Sequence, residues 1–157
     1  MSKKYTTPFV AAVVGGAVLS LAAVCAQPVS AGTVEVAAMT EMKDPLTKQP
    51  GDAAKGKGVF ANRKLGNCLA CHKLEAMKEQ SFHGEVGPPL DGVASRYSVA
   101  ELRLRVVDPK ALNPDTIMPS FYKSEGLHRV LKKFAGKPIL DAQQVEDLLA
   151  YLATLKE

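Results

Sequence analysis

Cys68-Leu69-Ala70-Cys71-His72 is the stretch that decides the reading of this chain. Two thiols three positions apart can each add to one vinyl group of a porphyrin. The adjacent imidazole is then held beneath the ring, where it can bind iron. The pattern reads as an attachment site for a c-type haem. Without His72, Cys68 and Cys71 in an exported protein would read as a disulfide or a redox dithiol. A zinc site lacks a second ligand pair at the usual spacing. His72 tips the balance to haem, and so to the handling of electrons.

Composition supports a buried macrocycle. The 157 residues contain no Trp and only 6% aromatics, although 46% are hydrophobic and 23% charged. A core built from side chains alone would be thin, and a cofactor would fill it. The formal net charge is +4, of which Lys3 and Lys4 supply two units. The remainder is too small for the footprint of a nucleic-acid-binding protein.

The N-terminus reads as an export signal over residues 1–31. Lys3 and Lys4 precede an uncharged, mostly apolar run from Phe9 to Ala26. Small residues stand at the cleavage spacing up to Ala26 and up to Ala31, and the later site is preferred. The alternatives are an uncleaved anchor, for which the apolar run is marginal, and a lipoprotein at Cys25, where Val24 is too large for the usual pattern. Cleavage at either site removes Cys25 and leaves Cys68 and Cys71 as the cysteines. The expected location is the periplasm, with no membrane attachment after cleavage. Export suits the haem reading, since c-type haem is attached outside the bacterial cytoplasm.

Residues 32–50 carry Pro45 and Pro50, mixed charges and no periodicity, and read as an extended arm. It is either a disordered leader or, through Val34, Val36, Met39 and Met42, a segment that lies on a partner. Residues 51–157 form the expected domain. Asp52 to Lys64 predicts a short helix capped by Asp52, with Gly56 and Phe60 on one face. Glycine inside a helix costs up to about 1 kcal/mol against alanine, which a close helix crossing would justify. Ser98 and Glu101 predict a capping box, with Leu102, Val106 and Val107 facing inward and Asp108-Pro109 ending the helix. Asp141 and Gln144 cap the clearest helix, whose stripe is Val145, Leu148, Leu149, Leu152 and Leu155, with Tyr151 beside it. Residues 127–134 predict one more short helical segment. No run alternates as a strand does. The expectation is an all-α fold whose N-terminal and C-terminal helices cross, with long loops that need a ligand to pack on.

A haem that transfers electrons without binding substrate has an axial ligand on each face of the iron. His72 supplies one. The candidates for the other are Met39, Met42, Met77, Met118, His83 and His128. Met118 is preferred, because its loop is stiffened by Pro119, which lacks an amide hydrogen. His83 is the competitor. A metal-bound histidine usually donates its other ring hydrogen to a carbonyl or carboxylate. The Gly87-Pro88-Pro89-Leu90 turn offers the Pro88 carbonyl for this, and Leu90 to cover the haem face. Arg96, Tyr97 and Lys123 are candidates for the propionates.

These motifs, with the C-terminal helix, resemble the class I cytochrome c family over residues 51–157. The resemblance implies helices and long loops wrapped around one covalent haem. Four segments narrow it: 66–72, 82–90, 115–122 and 136–140. They are similar to the SoxX family, the monohaem subunits of bacterial SoxAX complexes. That resemblance implies a heterodimer with SoxA. It also implies an L-cysteine S-thiosulfotransferase reaction, in which thiosulfate is joined oxidatively to a cysteine of the SoxYZ carrier. The reacting haem and its cysteine ligand would lie on SoxA. This chain would receive the electrons and pass them to a small c-type cytochrome, and residues 32–50 would wrap SoxA. The alternatives are a free periplasmic shuttle and a disulfide-bonded domain without cofactor.

Overall fold

The structure, a computed structural model, describes residues 39–157. The expected signal peptide and the first part of the arm lie outside the described residues. Those described form four α-helices and four single 3-10 turns, without a strand. The helices are α1 (Ala53–Ala61), α2 (Val93–Arg96), α3 (Val99–Val107) and α4 (Ala142–Leu152). None is long and apolar enough to cross a membrane.

The central packing is α1 against α4. Asp52 starts α1 by accepting from the amides of Ala54 at 2.9 Å and Lys55 at 3.2 Å. Asp141 and Gln144 cap α4 reciprocally, at 2.8 and 3.0 Å. Gly56 is the contact point of the crossing. A Cβ there would overlap the Asp147 carbonyl oxygen and stand 2.9 Å from the Tyr151 Cβ. The missing side chain thus lets two backbones approach, which offsets the helix propensity lost. One turn on, Phe60 meets Tyr151 edge to face, with ring centroids 5.5 Å apart.

α3 is held by the Ser98–Glu101 capping box and buries Leu102, Leu104, Val106 and Val107. Its end pins the long loop that follows. The Phe121 amide donates to the Val106 carbonyl at 3.0 Å, and the Leu140 amide to the Phe121 carbonyl at 2.9 Å. The helical segment expected over residues 127–134 is reduced to one 3-10 turn, Lys132–Phe134. Gly126 and Arg129 have φ of +67° and +58°, left-handed values that interrupt a right-handed helix.

In the described part of the arm, residues 42–50 lie on the rest of the domain. Arg103 of α3 and Glu146 of α4 form a buried pair, with Nε–Oε1 at 2.8 Å and Nη2–Oε2 at 2.9 Å. Arg103 also donates to the Met42 carbonyl at 2.8 Å, and the Leu46 amide donates to Glu146 at 2.9 Å. Met42 and Leu46 pack against the core, while Met39 is exposed. The pair satisfies arm backbone that would otherwise be buried unbonded.

Candidate functional site

The Cys68–His72 stretch is a tight turn set up by Asn67, whose φ of 50° swings the chain into Cys68–Ala70. The His72 amide closes the turn on the Cys68 carbonyl at 2.9 Å. The glycine- and proline-rich loop then runs back along it. Gly84 donates to the Leu69 carbonyl at 2.7 Å, Gly87 to Cys71 at 2.8 Å, and Leu90 to Lys73 at 3.0 Å. These bonds substitute for secondary structure and place the Pro88 carbonyl 2.7 Å from His72 Nδ1. A carbonyl only accepts, so Nδ1 carries the hydrogen and donates it. The Nε2 lone pair is then left for a metal. Gly87 makes room for the ring, since a Cβ there would overlap His72 Cε1.

Cys68 and Cys71 are unpaired thiols. Cys68 is only half-buried as a residue, but its thiol is enclosed. Burial pushes that thiol up to about 12, and the neighbouring Cys71 adds to the effect.

Two adjoining cavities of about 430 and 290 Å³ open beside the turn. Both volumes are near the range of small-molecule sites, roughly 300–1,000 Å³. Cys68, His72, Pro88, Thr116, Met118 and Phe121 line both. Cys71 lines the first and Leu90 the second. The expected site residues thus converge on one cleft, although they come from separate loops. Met118 is half-buried, and its amide donates to Thr116 Oγ1 at 3.2 Å. Lys110, which sequence reasoning passed over, braces that loop. Its ammonium donates to the carbonyls of Pro114 at 3.0 Å and Thr116 at 2.7 Å.

The rival iron ligands lie elsewhere. His83 accepts the Leu74 amide at Nδ1, 3.2 Å, and donates from Nε2 to the Met77 carbonyl at 3.1 Å. Both its nitrogens are used in bracing its own loop. Met77 is in the core, and His128 lines neither cavity. Arg96 and Tyr97 line the second cavity, whereas Lys123 is held by Asp108 at 2.6 Å and lines neither. Arg105, not singled out from the sequence, joins them, its guanidinium 3.9 Å from the centre of the Tyr97 ring.

No carboxylate lines either cavity, while Arg63, Lys64, Lys133, Arg96 and Arg105 do. Among the described residues no group of three His, Cys, Asp or Glu could hold a bare metal ion. The donors present fit a covalently attached haem. There are two thiols for the vinyl groups, an oriented imidazole, a thioether, and cations with no competing acid for the propionates.

The fold and this donor set have counterparts among known proteins. The cytochrome c family model matches residues 53–156. The chain is similar to a chain of the crystal structure of SoxXA from P. pantotrophus, at 41% identity and a TM-score of 0.70. The match covers 75% of this chain and 91% of that one. Comparison with curated protein sequences gives no match. The chain belongs to the cytochrome c family and, within it, to the SoxX group.

Proposed function

We propose that this chain is the monohaem electron-transfer subunit of a periplasmic SoxAX complex. Cys68 and Cys71 would hold one haem c through thioether bonds, and His72 and Met118 would be the ligands offered to its iron. Bound there, a haem supplies reversible one-electron chemistry. The chain's own residues supply the setting. The Pro88 carbonyl fixes the His72 tautomer and ring plane. Leu90 covers the haem face, and Arg96 and Arg105 offer charge to the propionates. With His72 and Met118 both offered to the iron, a haem held here would supply electron transfer without a place for substrate. The bond between thiosulfate and the SoxYZ cysteine is therefore assigned to SoxA, and this chain takes the electrons on to a small cytochrome c. The convergence of His72 and Met118 on one cleft carries the reading.

The test uses protein purified from the periplasm with whatever travels with it. A haem stain on a denaturing gel comes first, because a thioether-linked haem survives denaturation. Wild type is expected to stain and to co-elute with SoxA. Met118→Ala is expected to lose the thioether-to-iron charge-transfer band and to lower the potential. An unchanged spectrum removes Met118 from the iron. A stained monomer that ignores SoxA at micromolar concentration identifies a free shuttle instead.

A further inference from the structure

The loop that presents Met118 is held by little of its own. Of residues 113–119, only Thr116 and Met118 are half-buried, and Ile117 is 80% exposed. Pro114 and Pro119 carry no amide hydrogen. The bonds inside the loop are short-range turns. The Thr116 amide donates to the Asn113 carbonyl at 3.1 Å, the Asp115 amide to Asn113 Oδ1 at 3.0 Å, and the Met118 amide to Thr116 Oγ1 at 3.2 Å. A segment with so few buried contacts opens locally at low free energy.

Lys110 ties this loop to the rest of the domain. Its ammonium donates to the Pro114 carbonyl at 3.0 Å and the Thr116 carbonyl at 2.7 Å, and among the described residues no backbone amide reaches either oxygen. Lys110 itself stands on a fixed base. The Asp108 amide extends α3 by donating to the Leu104 carbonyl at 2.9 Å, and the Ala111 amide donates to the Asp108 carbonyl at 3.1 Å. Pro109, between them, is buried. After Met118 the backbone makes its own ties, from the amides of Phe121 and Lys123 to the carbonyls of Val106 and Val107 at 3.0 and 3.3 Å. Before Met118 the tie is the Lys110 side chain. Lys110 lines neither cavity, so it acts through the loop. We infer that Lys110 is a positioning residue for Met118. It holds residues 114–116 closed, so that the thioether stays offered to the iron and an external ligand is kept from that place. This rests on the axial reading of Met118 above.

The test is titration of the ferric, exported haem protein with imidazole, followed at the thioether-to-iron charge-transfer band. Imidazole takes the iron only when Met118 has swung away, so its apparent affinity rises in proportion to the open fraction. Lys110→Met keeps the length of the stem and removes the donors. It is expected to bind imidazole roughly fivefold more tightly than wild type, from the loss of two charge-assisted bonds at an exposed site. Lys110→Arg restores two donors and is expected to bring the affinity back to within about twofold of wild type. Lys123→Met also removes one positive charge near the end of α3, with its Asp108 pair, but keeps both backbone ties. It is expected to stay within about twofold of wild type, as a surface pair contributes little. An unchanged affinity in Lys110→Met, an equal gain in Lys123→Met, or a gain that Lys110→Arg shares in full overturns the inference, while the wild-type band leaves Met118 on the iron. A wild-type haem protein without that band overturns the axial reading and this inference with it.

Discussion

Replacing Glu146 by Gln keeps the shape of the side chain and removes its charge. In the native fold this carboxylate is 8% exposed and its Arg103 partner 7%. Two charge-assisted bonds join them, and the same carboxylate accepts the Leu46 amide. The Glu146→Gln side chain would turn an amide donor toward a guanidinium that can only donate. Breaking one side of a buried pair costs about 3–5 kcal/mol, because the other charge is left uncompensated. At about 4 °C per kcal/mol for a domain of this size, the melting temperature of the haem-loaded protein should fall by roughly 12–20 °C. Arg103→Met combined with Glu146→Leu removes both charges and should recover part of the loss. The recovery should be incomplete, since the Met42 carbonyl and the Leu46 amide lose partners worth about 1–3 kcal/mol each when buried. The pH dependence separates this account from simple loss of packing. Burial works against ionisation of Glu146, yet Arg103 and the Leu46 amide outweigh it and hold the carboxyl below its usual range. The stabilisation is then fully present above the unfolded value of about 4.3 and is lost as pH falls through the lower folded value. Wild type and Glu146→Gln should therefore converge in acid. Thermal melts by circular dichroism across this range are the assay. Curves that stay parallel, or a loss under about 1 kcal/mol at pH 7 on the scale just used, would refute the reasoning.

Gly56→Ala should destabilise by about 1–3 kcal/mol or more through overpacking, because its Cβ collides with the Asp147 carbonyl. Gly58→Ala on the same helix meets nothing within 4 Å and should stabilise by about 0.5–1 kcal/mol; chemical denaturation reads both signs. Gly87→Ala drives a methyl into the His72 ring and should reduce haem incorporation and alter the visible spectrum, while far-ultraviolet dichroism is preserved. His83→Ala should leave the spectrum alone and cost about 1–3 kcal/mol, since the buried Leu74 amide loses its acceptor. A changed spectrum would return His83 to the candidates for iron ligand.

The parts of this fold legible in the sequence are those written in a few adjacent residues. Ser98 with Glu101, and Asp141 with Gln144, announce their helices because a capping box is complete within one turn. Gly56 four residues before Phe60 hints at the crossing because a mid-helix glycine needs a reason. Cys68–His72 is local in the same sense. Arg103 and Glu146 are illegible for the opposite cause: charged residues on amphipathic helices read as solvent-facing. Only the arm folding across them makes that face interior, and nothing near either residue records it. Residues 127–134 look helical by composition, and the left-handed Arg129 that interrupts them has no signature as glycine would. At the cleft, the bracing by Lys110 and the stacking of Arg105 on Tyr97 depend on loop paths that no spacing encodes.

The arm and α1 find their partners on α4, through bonds spanning 95, 96 and 100 residues. The two ends of the domain are thus each other's binding site, and the chain between them is one long closure. Closing so long a loop carries an entropic cost and slows folding. It also sets an order of events. In the open chain the Cys68 thiol has the ordinary value of about 8.5, and a useful fraction is thiolate near neutral pH. In the folded chain burial pushes that value up to about 12. Covalent chemistry at the Cys68 sulfur is therefore easier before the domain closes around it than after.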